Sequence, residues 1–189
     1  MEADKKKSAT ATREPSQQTK TMPTTSANPG SADIQQRIKN FRNSKRFSVR
    51  YDKFRNDTIV SVGPFFIGGT KSYVVRGFQL EMTAYLLLDK GPIDHIYLRF
   101  DSSSRDWTFL KNSELLALVD GERMQFGEGD RDSDIRRGGV SESMIYPIPI
   151  ERFLKMGQAA STELKIGRVE LTLKDEHKEA FRDLVSLAN

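Results

Sequence analysis

The fold is decided by the C-terminal residues 144–189, which read MIYPIPIERFLKMGQAASTELKIGRVELTLKDEHKEAFRDLVSLAN. We interpret this stretch as a helix, a two-stranded hairpin and a second helix. Pro149 suits the first turn of a helix, where its missing N–H is not needed. One face of that helix is formed by Ile150, Phe153, Leu154 and Gly157. Because Gly157 stands where a larger apolar residue would fit the pattern, we expect close packing against a neighbouring element there.

The hairpin is predicted from the way its residues pair. If Gly167 and Arg168 form a two-residue loop, the glycine adopts a positive φ. The cross-strand pairs are then Ile166 with Val169 and Leu164 with Leu171 on one side, and Lys165 with Glu170 on the other. A single unbroken strand would instead place Leu164 and Val169 on opposite faces. The hairpin therefore satisfies both faces and is preferred.

A second helix is predicted after Leu173. Asp175 and Glu176 lie in its first turn, where the helix dipole favours negative charge. Its buried stripe comprises His177, Ala180, Phe181, Leu184, Val185 and Ala188. His177 lies among acidic residues, so we expect it at the solvent edge of the stripe. Lys174 stands where Ser, Asp or Asn would make a better N-cap.

Four segments of the chain are similar to segments of other proteins: Asp120-Gly121-Glu122-Arg123, 148–160, 163–167 and 173–184. Through them the chain resembles the C-terminal part of a set of uncharacterised bacterial proteins, over about a third of its length. Members of that set are often exported. The resemblance implies a bacterial protein but no particular activity, cofactor or site residue.

Composition excludes several classes of protein. At 189 residues the chain is expected to form one domain with extensions. It has no cysteine, so a disulfide framework, a thiolate nucleophile and a cysteine-ligated zinc are excluded. No apolar run approaches the roughly 18 residues of a transmembrane helix. The N-terminus lacks the apolar region of a signal peptide, so we expect a cytoplasmic protein if Met1 is the true start, and an exported one if a leader has been removed.

Three regions are predicted along the chain. Residues 1–33 are rich in Ser, Thr and Lys and are expected to be a disordered tail, because they offer little apolar surface to bury. Residues 34–45 are expected to form a short basic amphipathic helix or linker. Residues 46–189 are expected to form a single mainly-β domain.

The short helix is predicted from three apolar residues, Ile34, Ile38 and Phe41, which share one helical face. Ser31 or Asp33 is the expected N-cap. A helix of this length is marginal alone, so it must dock on its own domain, on a partner or on an anionic surface.

The rest of the domain shows the alternation that is typical of strands. Strands are predicted at 47–51, 58–62, 78–88, 95–100, 107–110, 115–119 and 122–126, with 78–88 the longest. Turns are predicted at Gly63-Pro64, at the Ser-rich residues 102–104 and, as a type I′ hairpin that pairs Leu115 with Phe126, at Asp120-Gly121. Residues 127–143 are expected to be a long polar loop. The predicted fold class is mainly β (α+β), an antiparallel β-sandwich or barrel-like sheet with two C-terminal helices around a hairpin.

Positive charge is concentrated in one segment, residues 34–55, which we call the basic band. It carries eight basic residues and one acid, whereas residues 56–189 carry a net charge of −4. The candidate anion-binding residues are Arg37, Lys39, Arg42, Lys45, Arg46 and Arg50. Phe41, Phe47 and Tyr51 are interleaved with them. The alternative is that the basic band neutralises the chain's own acidic domain.

Two segments resemble ligand-binding motifs but lack residues that those motifs require. Gly68-Gly69-Thr70-Lys71-Ser72 is not a phosphate loop, because Thr70 separates Gly69 from Lys71 and the following residues are typical of a strand. The acids Glu128, Asp130, Asp132 and Asp134 alternate as at the start of a calcium loop. However, Ile135 and Ser141 stand where that loop needs Gly and Glu. We therefore predict no metal and no cofactor.

Two polar sites on predicted strands remain. His95 is the only histidine placed where it could act as a general base, with Asp101 and residues 102–104 nearby in sequence, but no nucleophile motif accompanies it. Tyr73, Tyr85, Tyr97 and Arg99 are expected to share the face opposite the core. They could stack on bases or on a partner's side chains, but packing under the C-terminal helices or a second sheet is favoured, because such a face needs a cover.

We therefore expect a non-enzymatic protein-interaction or accessory module tethered by its tail, with an unknown protein partner. The first alternative is nucleic-acid or polyanion binding through the basic band, which predicts that affinity falls steeply with salt. The second is an enzyme that uses His95, with residues 127–143 as a lid.

Overall fold

The computed structural model describes residues 29–67, 78–88, 92–136 and 139–188. Residues 1–28 of the predicted tail 1–33 lie outside these ranges. The segment 68–72 and Tyr73 also lie outside them.

Among the described residues the chain forms ten strands and three α-helices. In chain order they are α1 Pro29–Lys39, β1 Phe47–Asp52, β2 Asp57–Phe66, β3 Gln79–Leu87, β4 His95–Ser104, β5 Glu114–Val119, β6 Glu122–Glu128, β7 Asp130–Arg136, β8 Gly139–Pro149, α2 Ile150–Gln158, β9 Thr162–Ile166, β10 Val169–Thr172 and α3 Asp175–Ser186. One sheet has the order β1-β2-β3-β4-β8-β7 and the other the order β10-β9-β5-β6. Every pair of neighbouring strands is antiparallel and neither sheet closes on itself. The predicted mainly-β fold with C-terminal helices around a hairpin is confirmed.

One hydrophobic core lies on the inner face of the six-stranded sheet. Every second residue of its central strands is buried, for example Leu80, Met82 and Leu86 on β3. Helix α3 packs on β2 and β3, while α2 packs on β4 and β8. The four-stranded sheet contributes Leu115 and Leu164 to the same core. The alternation thus gives each central strand one apolar face, and the helices and the second sheet cover these faces together.

The predicted C-terminal hairpin is confirmed in every pair. Ile166 lies opposite Val169, and Leu164 lies opposite Leu171. Lys165 Nζ lies 2.6 Å from Glu170 Oε1 on the exposed side. Gly167 has a φ of +58°, as the two-residue loop requires.

The expected close packing at Gly157 is confirmed. A Cβ at this position would lie 3.3 Å from the Cβ of Phe181 on α3. The rings of Phe153 and Phe181 lie 4.3 Å apart, centre to centre, beside it. Lys178 of α3 is buried and donates from Nζ to the carbonyl groups of Ala159 and Ala160, at 3.2 and 2.9 Å. The absence of a side chain at Gly157 therefore lets α2 and α3 approach each other.

The prediction of a polar loop at 127–143 is wrong. The segment instead ends β6 and forms β7 and the first five residues of β8, and β7 and β8 pair as an antiparallel hairpin. β7 lies at the edge of the sheet, and its described side chains are all exposed. Its sequence therefore lacks the alternation of apolar and polar residues from which a strand is predicted. On β8 the buried face includes the carboxylate of Glu142 between Val140 and Met144, which interrupts the apolar pattern.

Two predicted turns and one predicted strand are also wrong. Gly63 and Pro64 lie inside β2, where the register shifts between Val62 and Phe65 in a bulge; Gly63 has a φ of +126° and the Gly63–Pro64 peptide is cis. Residues 102–104 belong to β4. Residues 107–110 form no strand, because hydrogen bonds to Glu142 hold them in an irregular loop.

Smaller corrections concern the ends and registers of elements. Helix α1 begins at Pro29, so Ser31 and Asp33 lie inside it and are not N-caps. The longest strand is β8 with 11 residues, whereas β3 has 9. Leu115 pairs with Gly127 rather than Phe126, because a bulge follows Leu115. The type I′ prediction at Asp120-Gly121 agrees with the positive φ of both residues.

Candidate interaction surface

The first part of the basic band packs on the domain. Ile34 and Ile38 of α1 are buried in the common core. Phe41 packs against Phe47 of β1, with ring centres 5.3 Å apart. The docking partner left open by the sequence is therefore the protein's own domain.

Three of the six candidate anion-binding residues contact α3. Arg42 and Arg46 lie 3.8 and 3.5 Å from the carboxylates of Glu179 and Glu176. Arg37 donates to the carbonyl oxygen of Ser186, at the end of the helix. The acidic side of α3 thus partly neutralises this part of the basic band, as one of the two interpretations of the sequence predicts.

The other three candidates, Lys39, Lys45 and Arg50, have exposed side chains on three different elements. Lys39 donates to Gln36 within α1 at 3.4 Å. Lys45 lies in a short 3-10 turn at Ser44–Arg46, and Arg50 lies on β1. The six residues therefore divide into three with partners on α3, among which the Arg42 side chain is still 83% exposed, and three that lie elsewhere on the surface.

Arg50 belongs to a compact exposed group at the end of the β1–β2 hairpin. We define the hairpin tip as Arg50, Tyr51, Lys53, Phe54 and Arg55. Phe54 is 89% exposed, and Lys53 Nζ lies 5.1 Å from the centre of its ring. The hairpin tip therefore presents an apolar ring among three cations.

Hydrogen bonds hold the hairpin tip in one conformation. The carboxylate of Asp52 accepts the backbone N–H groups of Phe54 and Arg55, at 3.0 and 3.3 Å. The bond from Phe54 is the largest cause that lowers the pKa of Asp52, and the nearby charges of Arg55 and Arg50 lower it further. Tyr51 donates its hydroxyl to Asn56 Oδ1 at 2.7 Å, and Asn56 adopts a φ of +53°. Phe54 could not be identified from the sequence, because a single exposed ring in a turn produces no pattern.

The tyrosine face was predicted to pack under the C-terminal helices, and this is wrong. Tyr85 and Tyr97 lie opposite each other on the outer face of the six-stranded sheet and stack with ring centres 5.0 Å apart. Burial raises the pKa of the Tyr85 hydroxyl. Arg99, in the next row, pairs with Asp101 at 2.7 Å. In the part of the chain that the structure describes, α2 and α3 pack on the opposite, inner face of this sheet.

An acidic cleft continues along the same outer face. It has a volume of about 370 Å³, and Glu81, Asp101, Asp132 and Asp134 are among the residues that line it. Asp130, Asp132 and Asp134 extend along β7 instead of wrapping around a point. Within the described ranges no group of three or more His, Asp or Glu residues is arranged to hold a metal ion. The cleft gives this face a negative charge.

His95 lies at the start of β4, where its Nδ1 is 2.8 Å from Asp94 Oδ1. Asp101 lies six residues further along the same extended strand, so about 20 Å separates it from His95. Residues 127–143, which the sequence suggested as a lid, are mostly strand instead of a loop. The structure therefore does not bring His95 together with the residues that the sequence suggested for it.

Comparisons with protein-family models, with curated proteins and with solved structures find no match for this chain. The resemblance of the C-terminal part to bacterial proteins stays a prediction. None of the helices in the described part of the chain is long and apolar enough to cross a membrane.

Proposed function

We propose that this protein is a non-enzymatic interaction module that binds an acidic protein partner through the hairpin tip. The observation that carries the proposal is the 89% exposure of Phe54 in a turn that also presents Arg50, Lys53 and Arg55. An exposed aromatic side chain on an ordered turn has an apolar surface that water does not stabilise.

The chemistry of the hairpin tip matches that of interface anchors. Aromatic residues and arginine are enriched in the energetically important part of protein interfaces, where a ring fills a pocket on the partner. The two bonds to Asp52 hold the turn before binding, which reduces the entropy that association would otherwise cost. The three cations favour a partner whose pocket has an acidic rim.

Nucleic acid or another polyanion bound along the basic band is the second candidate, and the packing of the basic band argues against it. A polyanion needs a continuous row of cations. Arg42 and Arg46 face carboxylates of α3 instead, and the rings of Phe41 and Phe47 pack on each other. The outer sheet face adds the repulsion of its acidic cleft. A compact partner that contacts only the hairpin tip avoids both obstacles.

The proposal can be tested with two labelled peptides of equal acidic charge, one with a central leucine cluster and one with serines in its place. Fluorescence anisotropy of the full chain should show tighter binding of the leucine peptide. Phe54→Ser should remove that preference, because the apolar anchor is lost. The triple variant with Arg50→Glu, Lys53→Glu and Arg55→Glu should bind both peptides more weakly.

Phe66 provides a matched control, because it is also an exposed phenylalanine, at 61%, and lies on β2 away from the turn. Phe66→Ser should leave both affinities unchanged. Equal effects of the two phenylalanine substitutions, or tighter binding of a single-stranded oligonucleotide than of either peptide, would contradict the proposal.

A further inference from the structure

A recess with apolar walls lies between the loop 105–112 and the turn of the C-terminal hairpin. We call it the Trp107 pocket. Its volume is about 540 Å³, within the roughly 300–1,000 Å³ that small-molecule sites occupy. Phe78, Trp107, Leu110 and Val169 form its apolar lining. Leu110 is 49% exposed although it is a large apolar residue, which leaves apolar surface open at the pocket.

The charged residues that line the Trp107 pocket are mainly cations. Arg105, Lys111 and Arg168 line it, and all three side chains are exposed. The only acid among the residues that line it is Asp106, whose carboxylate already accepts the backbone N–H of Trp107 at 2.8 Å. A ligand in this pocket therefore meets an apolar wall and an excess of positive charge.

The walls of the pocket are held by the buried structure beneath them. The carboxylate of Glu142 accepts the backbone N–H of Thr108 at 2.5 Å and that of Phe109 at 3.2 Å. The hydroxyl of Tyr146 donates to the carbonyl oxygen of Ser113, just after the loop. On the other side, a Cβ at Gly167 would lie 2.7 Å from the carbonyl oxygen of Asn112, so the hairpin turn fits closely against the loop. These contacts fix the loop and the hairpin turn that form two walls of the recess.

We propose that the Trp107 pocket binds a small organic anion with an apolar body, such as an aryl or acyl carboxylate or phosphate. The apolar body would pack on Trp107 and Leu110, and the anionic group would lie against Arg168 and its neighbouring cations. This pocket shares no residue with the hairpin tip, so the inference is independent of the proposed interaction with an acidic partner.

The only tryptophan of the chain lines this pocket, which makes a site-specific measurement possible. The probe is anilinonaphthalene sulfonate, and its matched control is N-phenylnaphthylamine, which has the same aromatic body without the sulfonate. Selective excitation of tryptophan should produce energy transfer from Trp107 to the bound sulfonate probe. The sulfonate probe should bind more tightly than the neutral one. This advantage should shrink between about 0.1 M and about 1 M salt, where the screening length falls from about 10 Å to about 3 Å.

Two variants separate the anionic and the apolar contributions. Arg168→Glu should lower the affinity for the sulfonate probe by roughly three- to thirty-fold, the effect of losing one or two exposed ion pairs. The affinity for the neutral probe should change little. Leu110→Asp should weaken both probes. Arg123→Glu, on β6, reverses an exposed charge that does not line the pocket and should change neither affinity. Lys111→Glu provides a second charge reversal, should Arg168→Glu impair folding.

The proposal is overturned if the two probes bind equally well at both salt concentrations. It is also overturned if both charge reversals in the pocket have the effect of Arg123→Glu, or if the bound sulfonate probe receives no energy from Trp107.

Discussion

The buried carboxylate of Glu142 on β8 accepts the backbone N–H of Thr108 at 2.5 Å and so fixes an irregular loop to the six-stranded sheet. A loop without strand or helix leaves N–H groups that need acceptors where they are buried. Glu142 supplies one for Thr108 and for Phe109, whose own side chain is buried in the core. This relationship explains why a charged residue occupies a core position on β8.

We predict that Glu142→Ala lowers the free energy of unfolding by about 1–3 kcal/mol, because it leaves buried N–H groups without an acceptor. It should also change the fluorescence of Trp107, since this residue lies next to Thr108. Glu142→Gln keeps an acceptor oxygen and should lose less stability. Urea unfolding followed by circular dichroism measures the stability. An Ala variant as stable as the Gln variant would contradict this role.

The sequence pattern predicts His177 at the solvent edge of α3, but its side chain is buried and its ring lies 4.7 Å from that of Phe65, centre to centre. Its Nδ1 accepts the backbone N–H of Lys174 at 3.2 Å, which makes it an acceptor at the start of the helix. Burial lowers the pKa of His177 below its usual value of 6.5. The neutral imidazole is therefore the form that the fold accommodates.

We predict that stability falls as pH is lowered through about 6.5. The unfolded chain binds a proton at His177 more readily than the folded one, so acidification favours unfolding with a slope of up to about 1.4 kcal/mol per pH unit from this residue. The contribution is fully present above the unfolded pKa and is lost below it. His177→Phe should flatten the profile of unfolding free energy between pH 5 and pH 8, the range in which histidine ordinarily titrates.

His95 is the natural control for this experiment, because the chain contains only two histidines. His95→Gln removes a partly exposed imidazole and should keep the pH dependence that His177 produces. An unchanged pH profile in the His177→Phe protein would show that another group is responsible.

The contact between α2 and α3 predicts a strong effect at Gly157. Gly157→Leu inserts a branched side chain where the Cβ alone would already lie 3.3 Å from Phe181 Cβ and 3.2 Å from the carbonyl oxygen of Lys178. Overpacking of this kind costs about 1–3 kcal/mol. Gln158→Leu, one position along the same helix and exposed, should cost much less. Thermal unfolding of the two variants measures the difference, and equal melting temperatures would contradict the close contact.

We predict that helix α1 contributes to the folding stability of the domain. Ile38→Ala should lower the free energy of unfolding by about 2–4 kcal/mol, because it removes a side chain that is 7% exposed and lies in the core. Arg42→Ala should change stability by less than about 1 kcal/mol, since this arginine forms a largely exposed ion pair. Chemical denaturation of both variants tests the comparison. A neutral Ile38→Ala would mean that α1 does not contribute to the core.

The C-terminal hairpin and its two helices could be predicted from sequence because their residues are close neighbours in the chain. The pairing of Leu164 with Leu171 and the small residue at Gly157 both follow from local periodicity. The β7–β8 hairpin could not be predicted in the same way. β7 is an exposed edge strand, and on β8 the buried Glu142 is explained only by a loop more than 30 residues earlier in the chain.

The candidate sites show the same division. The basic band could be identified from the sequence. Its division could not, because Arg42 and Arg46 contact Glu179 and Glu176, which lie far away in the chain. The Trp107 pocket combines three separate segments, at Phe78, 104–112 and 167–169, and no sequence pattern joins them. Both sites are therefore products of tertiary packing.

The most direct test of the proposed function is photo-crosslinking from the position of Phe54. A benzophenone analogue of phenylalanine at position 54 of the full chain, and the same analogue at position 66 as the matched exposed control, would be irradiated in extracts of the source cells. We predict a protein adduct specific to position 54, whose crosslinked peptide is rich in Asp and Glu. The triple variant with Arg50→Glu, Lys53→Glu and Arg55→Glu should not form this adduct. A nucleic-acid adduct at position 54, or the same adducts from both positions, would contradict it.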